Sequence, residues 1–402
     1  MEVIHPRCAG LDVHKDSVVA CARVVVGTEV KQEVHSFETT TAGLLELSEW
    51  LGQHQVTHVA MEATGVYWKP VWHVLESTFT LVLANAQHIR NVPGRKSDVN
   101  DATWIADLLA HGLIRGSFVP PLHIQAMRDL TRTRKQLVRE VAQHTLRLQK
   151  VLEDGNIKLS SVVSNVLGQS GRAILDALVQ GESDPEKLVA LTRRRLKASR
   201  EALVKALRGR LTDHHRFLLK LHLQQIDSLR EAVRDVEARM GEALRPFRAE
   251  VDLLKTIPGI SETTAQVVVA EIGLDMKRFP SAGHLLSWAG LCPRMDESAG
   301  KRRSTRIRKG GQWLKATLVQ ATWAAARKKG SYFQAQFHRL RARRGAKKAI
   351  VAVAASMLTV VYHLLSRGVE YEELGADYFD RRGKAKAAHR LPTSPVPHRP
   401  CQ

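Results

Sequence analysis

CAGLDVHKDSVVACARV, residues 8–24, opens the patterned part of the chain and sets how the rest is read. The short apolar run Cys8–Leu11 ends on Asp12, in the manner of a strand that delivers a polar residue at its carboxyl end. Two β-branched runs follow, 18–26 and 30–37, separated by Gly27-Thr28, a hairpin-like interval. Residues 41–53 then place Leu44, Leu45, Leu47, Trp50 and Leu51 at helical spacing. Beyond them 56–61 reads as strand, 67–77 as helix, 81–85 as strand and 97–111 as helix. The order is three strands, helix, strand, helix, strand, helix. Strands that alternate with helices pair in parallel, and such sheets collect functional residues at their carboxyl ends.

That order matches a ribonuclease H-like α/β fold, and it gives meaning to four acids. Asp12 ends the first strand, and Glu62 ends the run 56–61. Asp98 and Asp101 stand three apart in KSDVNDATWIADLLA (96–110), on one face of the predicted helix. Asp107 lies about 240° further round and points elsewhere. Asp16 and Glu76 have no comparable placement and read as surface residues. For Asp98 alone, capping the helix after Ser97 is the simpler role. For all four acids in this order, a divalent metal site is the expectation, Mg2+ or Mn2+, with oxygen ligands throughout.

Composition points to a polyanionic partner. The chain has 402 residues, with 61 Lys and Arg against 40 Asp and Glu, a formal charge of +21. From Arg294 to Lys348 there are 17 basic residues, opposed by Asp296 and Glu297 alone. Trp313, Trp323, Tyr332 and Phe333 are interleaved with them, a pattern expected of nucleic-acid contact that weakens with salt. Cys8, Cys21, Cys292 and Cys401 form no C-x-x-C pair, which argues against structural zinc and fits a reducing compartment. The N-terminus lacks the apolar core of a signal peptide, and residues 349–365 read as a buried helix, not a membrane span. A cytoplasmic protein with no membrane partner is expected.

Val119-Pro120-Pro121 marks a boundary. Four regions are expected: a catalytic domain over 1–120, a helical or coiled-coil oligomerisation region over 121–250, a mainly α domain over 251–380, and a disordered basic tail over 381–402. In the helical region one stripe runs Met127, Leu130, Arg134, Leu137, Val141, His144, Leu148, Val151. A second runs Leu219, His222, Ile226, Leu229, Val233, Val236, Met240, Ala243. They suit an antiparallel hairpin or a dimerising coiled coil equally. Residues 155–211 are helical in composition and carry no clear assignment.

Two further motifs carry chemistry. LLKTIPGISETTAQVVVAEIG (253–273) has the form of a helix-hairpin-helix, with Pro258, Gly259 and Ile260 at the turn. The following helix start offers free amides to a nucleic-acid phosphate, to which Ser261 or Thr263 could add a hydroxyl. A plain αα-hairpin is the alternative. Residues 288–327 hold Ser298 in a loop, then a basic cluster and a helix from about Gln312. Lys301, Arg302, Arg303, Arg306, Arg308 and Lys309 are the expected phosphate contacts. A serine needs a metal, a base or a charged setting to act as nucleophile. Ser304 is the weaker candidate.

GLDVHKDS, MEATGVYW, KSDVNDATWIADLL, IPGISETTA and WAGLCPRMDESAGKRRSTRIRKGGQWL resemble, in this order, the transposases of the insertion-sequence 110 family. The resemblance spans about residues 8–115 and 250–370. It implies a ribonuclease H-like, Holliday-junction-resolvase-like domain in which Asp12, Glu62, Asp98 and Asp101 form the acidic set. It also implies a transposase domain with Ser298 as nucleophile, and recombination guided by a structured noncoding RNA that matches target and donor DNA. Where the family commonly has Ser-Gly, this chain has Ser298-Ala299 and then Gly300, and its Ile307-Arg308-Lys309 replaces Ile-Ser-Lys. The expected function is a DNA transposase working through a serine–DNA intermediate, as a dimer or tetramer. The alternative is a metal-dependent junction-resolving endonuclease that uses water.

Overall fold

In the computed structural model, residues 2–27, 29–63, 65–85, 89, 100–192, 198–293, 296–298, 300–304, 306–307 and 310–382 are described, with 296–298, 302 and 303 as backbone only. The chain divides into two compact units, Met1–Pro120 and Pro121–Gln402.

The first unit is a five-stranded mixed sheet between two helical layers. Its strands are β1 (Arg7–Val13), β2 (Ser17–Val26), β3 (Glu29–Glu38), β4 (His58–Glu62) and β5 (Thr80–Ala84), in the order β3-β2-β1-β4-β5. β1, β2 and β3 pair antiparallel, while β4 joins β1, and β5 joins β4, in parallel. Alternation along β1 sends Ala9, Leu11 and Val13 to one face. There they pack with helices α1 (Thr41–Gln53) and α2 (Trp68–Leu75) through Leu44, Leu47, Leu51, Val71 and Leu75. Thr40 caps α1 by accepting from the Gly43 amide. Leu45 falls outside the buried stripe and is 53% exposed.

The opposite face carries helix α3 (Asp101–Ala110), whose Ile105, Leu108 and Leu109 cover Cys8, Ala60 and Ala84. Gly10 is what lets it sit so close. A Cβ there would stand 2.2 Å from the Ala102 carbonyl oxygen and 2.4 Å from the Ala106 amide nitrogen. The Cys8 thiol donates to the Ala106 carbonyl, and the Ile4 and His5 amides donate to that of Ala110. The helix therefore runs antiparallel to β1, with its N-terminus at the carboxyl end of the strand.

The second unit is mainly helical. Helices α4 (Leu122–Asp154) and α9 (Asp213–Leu244) form an antiparallel hairpin. The polar members of their stripes find partners across it. Arg134 pairs with Glu237 at 2.6 Å, and His144 faces His222 with Nδ1 atoms 3.3 Å apart. Residues 155–192 and 198–211 build the far end: α5 (Leu159–Val162), α6 (Gln169–Val179), α7 (Pro185–Ala190) and α8 (Arg200–Leu207) enclose a small core with Leu148, Leu152, Leu219 and Ile226. At the near end, Ile124, Met127, Met240 and Leu244 join a larger core. That core is shared by α10 (Arg248–Lys255), α11 (Glu262–Ile272), α12 (Ala282–Trp288), α13 (Gln312–Ala325), α14 (Tyr332–Arg344) and α15 (Ala346–Arg367). Between α12 and α13 lies a small antiparallel pair, β6 (Asp296–Ser298) and β7 (Lys301–Ser304).

α15 is long and apolar enough to cross a membrane by length and composition. Here Ile350, Val353, Met357, Leu358 and Val361 are buried in the core, as the sequence reading expects of that helix. Cys8, Cys21 and Cys292 are free thiols, and burial pushes Cys8 up to about 12. The basic tail lies outside the described residues from 383 onward.

Candidate active site

Asp12 and Glu62 come together through strand register. Leu11 is paired with Met61 across the parallel β1–β4 contact, so the next residues, Asp12 and Glu62, stand side by side at the carboxyl edge. Asp12 shares the α3 face with Gly10, and Glu62 shares it with Ala60, each two residues on in its strand. Asp101 is the first residue of α3, at the helix end that reaches the same edge. Asp12, Glu62 and Asp101 thus lie towards one end of one face. Asp98 lies outside the described residues.

The side chains are arranged as follows. The Asp12 carboxylate is about three-quarters buried, and His14 Nε2 stands 3.2 Å from it. Glu62 is half-buried and Asp101 exposed. Asn100, not Asp98, caps the described helix, its Oδ1 accepting from the Ala102 amide at 2.9 Å. Asp107 points away, as the helical angle requires, and stands 3.4 Å from Arg23 on β2. Glu76 accepts from the Trp72 indole, and Asp16 is exposed beside Lys15. The acids at the edge are oxygen donors suited to a hard divalent cation. Among the described residues, however, no three His, Cys, Asp or Glu side chains gather closely enough to hold a metal.

Ser298 ends β6, opposite Lys301, and its side chain lies outside the described residues. The segment read as a loop is thus a β-hairpin. Gly300 at its turn has a left-handed backbone, φ +73°, which glycine adopts without penalty. A bridge between Pro293 and Ile307 closes the base. Ser304 accepts from the Arg306 amide at 3.2 Å, a local turn. Lys301 and Arg306 are exposed. Arg308 and Lys309, and the side chains of Arg302 and Arg303, lie outside the described residues.

The Pro258–Ile260 turn does join two helices, α10 and α11. Gly259 has φ +86° and approaches α13 closely: a Cβ there would meet the Ala321 carbonyl oxygen at 2.3 Å. Pro258 and Ile260 are buried, and the Ser261 hydroxyl accepts from the Thr264 amide as the cap of α11. The turn's apolar side is therefore directed into the core.

The interleaved aromatics divide. Phe333 is fully buried, and Tyr332 packs with Tyr378 and Phe379, so neither is a stacking surface. Trp313 is different. Arg132, Lys135 and Arg139, all on α4, place their cationic groups 5.8, 5.9 and 5.4 Å from its ring centre. No local pattern announces this grouping, because the cations precede the ring by more than 170 residues.

Comparison with known proteins finds two matching family models. A transposase model matches residues 9–157, and a model described as the transposase IS116/IS110/IS902 family matches 251–338. A probable family 20 transposase from Pseudomonas aeruginosa is 26% identical over 326 residues, 78% of this chain and 85% of its own length. A pilin gene-inverting protein from Moraxella bovis is 24% identical over 379 residues, 90% of this chain and 97% of its own. The transposase for insertion sequence element IS1111A from Coxiella burnetii is 29% identical over 149 residues, 35% of this chain and 39% of its own. The class is thereby defined as a transposase, an enzyme that acts on DNA. Within it, this chain belongs to the IS110 family.

Proposed function

We propose that this chain is the recombinase of an insertion sequence, cutting and rejoining DNA through a covalent link to Ser298. The sheet order β3-β2-β1-β4-β5, with three antiparallel strands followed by two parallel ones, supports a ribonuclease H-like reading of the first unit. The observation that carries the proposal is the side-by-side placement of Asp12 and Glu62, with the start of α3 at the same edge. Asp12, Glu62, Asp98 and Asp101 would hold Mg2+ or Mn2+. Bound there, the cation supplies charge stabilisation to the scissile phosphate. Asp98 completes the set from the segment just before α3.

In the reaction the Ser298 hydroxyl oxygen forms a bond to phosphorus, and the bond from phosphorus to a deoxyribose oxygen breaks. The leaving oxygen takes up a proton, and the serine proton passes to solvent or a neighbouring base. Attack on the serine phosphodiester by the hydroxyl of a new strand end reverses these changes. Bond energy is kept in the link, so no nucleotide is consumed. Inversion of a gene, in the name carried by the Moraxella relative, likewise requires cut ends to be rejoined. The excess of positive charge supports binding of polyanions, which in this reading are donor and target DNA and a structured noncoding RNA that guides the choice of sites. Assembly as a dimer or tetramer belongs to the same reading.

The test is a cleavage and strand-transfer assay on supercoiled DNA, with products resolved under denaturing conditions. The parent protein forms a protein–DNA adduct that survives denaturation, Ser298→Ala forms none, and Asp12→Asn neither cleaves nor links. Undiminished cleavage by Ser298→Ala with no adduct in either protein would assign the chain to the water-using endonucleases instead.

A further inference from the structure

We propose that Lys135 and Arg139 of α4, together with Trp313 at the start of α13, form a seat for a nucleic-acid backbone phosphate, separate from the acidic edge and from the serine hairpin. The inference rests on the proposed function and adds a binding site to it.

The seat is built from below by a buried ion pair. Glu271 on α11 is 1% exposed, and Arg132 donates to both of its carboxylate oxygens at 2.9 Å. Arg128, one turn earlier on α4, donates to the backbone carbonyls of Ala270 and Glu271 at 3.2 and 2.6 Å. These contacts fix the face of α4 and engage the buried Glu271 carboxylate. Lys135 and Arg139 lie three and seven residues beyond Arg132, on the same side of the helix. Lys135 also donates to the Thr317 hydroxyl at 3.1 Å. Among the described residues, no carboxylate lies within ion-pair distance of Lys135 or Arg139.

A solvated charge run would look different. Long basic side chains on an open helix face spread apart into water, whereas these two converge on one half-buried indole. Burial, followed by the neighbouring Arg139 guanidinium, lowers the Lys135 ammonium below the ordinary lysine range, against the opposing pull of Glu271. The indole attracts each cation through its ring face but cannot neutralise it. A phosphodiester can: it is a permanent anion with two free oxygens, able to receive the lysine at one and the arginine at the other. An aromatic ring beside several cations is also an arrangement that supports a nucleic-acid strand without reading its bases. The location agrees, because the return leg of the serine hairpin runs through 310 and 311 directly into α13.

Fluorescence anisotropy with labelled duplex DNA, and separately with an RNA hairpin of equal length, tests the seat on the full chain over a range of salt concentrations. Lys135→Gln combined with Arg139→Gln is expected to weaken binding by about tenfold or more at moderate salt. It should also flatten the slope of log affinity against log salt by about two, one for each lost phosphate contact. Lys135→Arg keeps the charge and should keep the slope. A control pair of equal charge loss on α9, Lys220→Gln with Arg234→Gln, should change affinity by less than about twofold. A loss confined to DNA or to RNA assigns the seat to that polymer. Parent-like affinity and slope in the double variant, for both polymers, overturn the inference and leave the proposed function standing. If the parent binds neither polymer in a salt-dependent way, both fall together.

Discussion

Gly10→Ala is the sharpest available probe of how the acidic edge is built. The added methyl would sit 2.2 Å from the Ala102 carbonyl oxygen and 2.4 Å from the Ala106 amide nitrogen, both backbone atoms of α3. A carbon-to-oxygen contact ordinarily settles at about 3.3 Å, so the helix must retreat from β1 by about 1 Å. Neither atom is the end of a flexible side chain, so rotamer changes cannot absorb the clash. Overpacking of this kind costs about 1–3 kcal/mol, and the rigid neighbours place this site at the upper end. For a unit of this size, that lowers the thermal midpoint by on the order of 10 °C. Asp101 begins the displaced helix, and under the proposed function, where it holds the metal, a misplacement of about 1 Å should lower the rate on the order of a hundredfold. The control is the same substitution at Gly52, in α1, where nothing lies within 4 Å of the new methyl. There the smaller loss of backbone entropy should stabilise by about 0.5–1 kcal/mol. Scanning calorimetry and the strand-cleavage assay read both effects. A Gly10→Ala protein that melts with the parent and cleaves at its rate would refute the seating of α3 on β1.

Other perturbations have equally definite outcomes. Gly259→Ala combines a left-handed backbone with a contact of 2.3 Å to the Ala321 carbonyl, and should cost at least about 2 kcal/mol in urea denaturation. Glu271→Ala strands Arg132 and Arg128 at the base of the α4 face. Because Arg132 is one-third exposed, the loss should fall near about 3 kcal/mol, the lower end for breaking a buried pair, and denaturation midpoints measure it. The His144–His222 pair makes the long hairpin sensitive to acid. Burial, then His144 and Arg147, hold His222 below its ordinary value of 6.5. The unfolded chain therefore binds the proton at higher pH than the folded one, and stability falls as pH drops below about 6.5 towards the folded value. His222→Gln should remove that part of the slope, and an unchanged pH profile in that variant contradicts the assignment.

Much of the first unit is legible in the sequence because its signals are local. Period-two runs interrupted at Gly27-Thr28 mark β2 and β3, and the spacing of Leu44, Leu47 and Leu51 marks α1. The carboxyl-edge position of Asp12 and Glu62 follows from strands that alternate with helices. The rest depends on contacts distant in sequence. The short helices between 155 and 211 contribute one to three core residues each, too few in most of them for a window to show a stripe. Aromatics among basic residues suggested stacking, but Phe333 is held in the core by α15 and by residues after it. Three- and four-residue strands carry almost no periodicity, so the serine hairpin leaves no strand signal in the sequence. Trp313 gives no sign of its cations, since they arrive on a helix that precedes it by more than 170 residues.

The antiparallel α4–α9 hairpin leaves the large core and returns to it at nearly the same place, with a separate small core at its far end. At 1.5 Å per residue its longer arm spans about 50 Å. Such an element is an adjustable spacer. Excising eighteen residues from each arm, five whole turns, would draw the tip in by about 27 Å and leave its facing unchanged. Excising seven from each would draw it in by about 10 Å and rotate it about 20°. Reach and orientation can therefore change by simple duplication or deletion, without repacking either end. A change in the length of this arm alone would therefore reset the distance between its two cores.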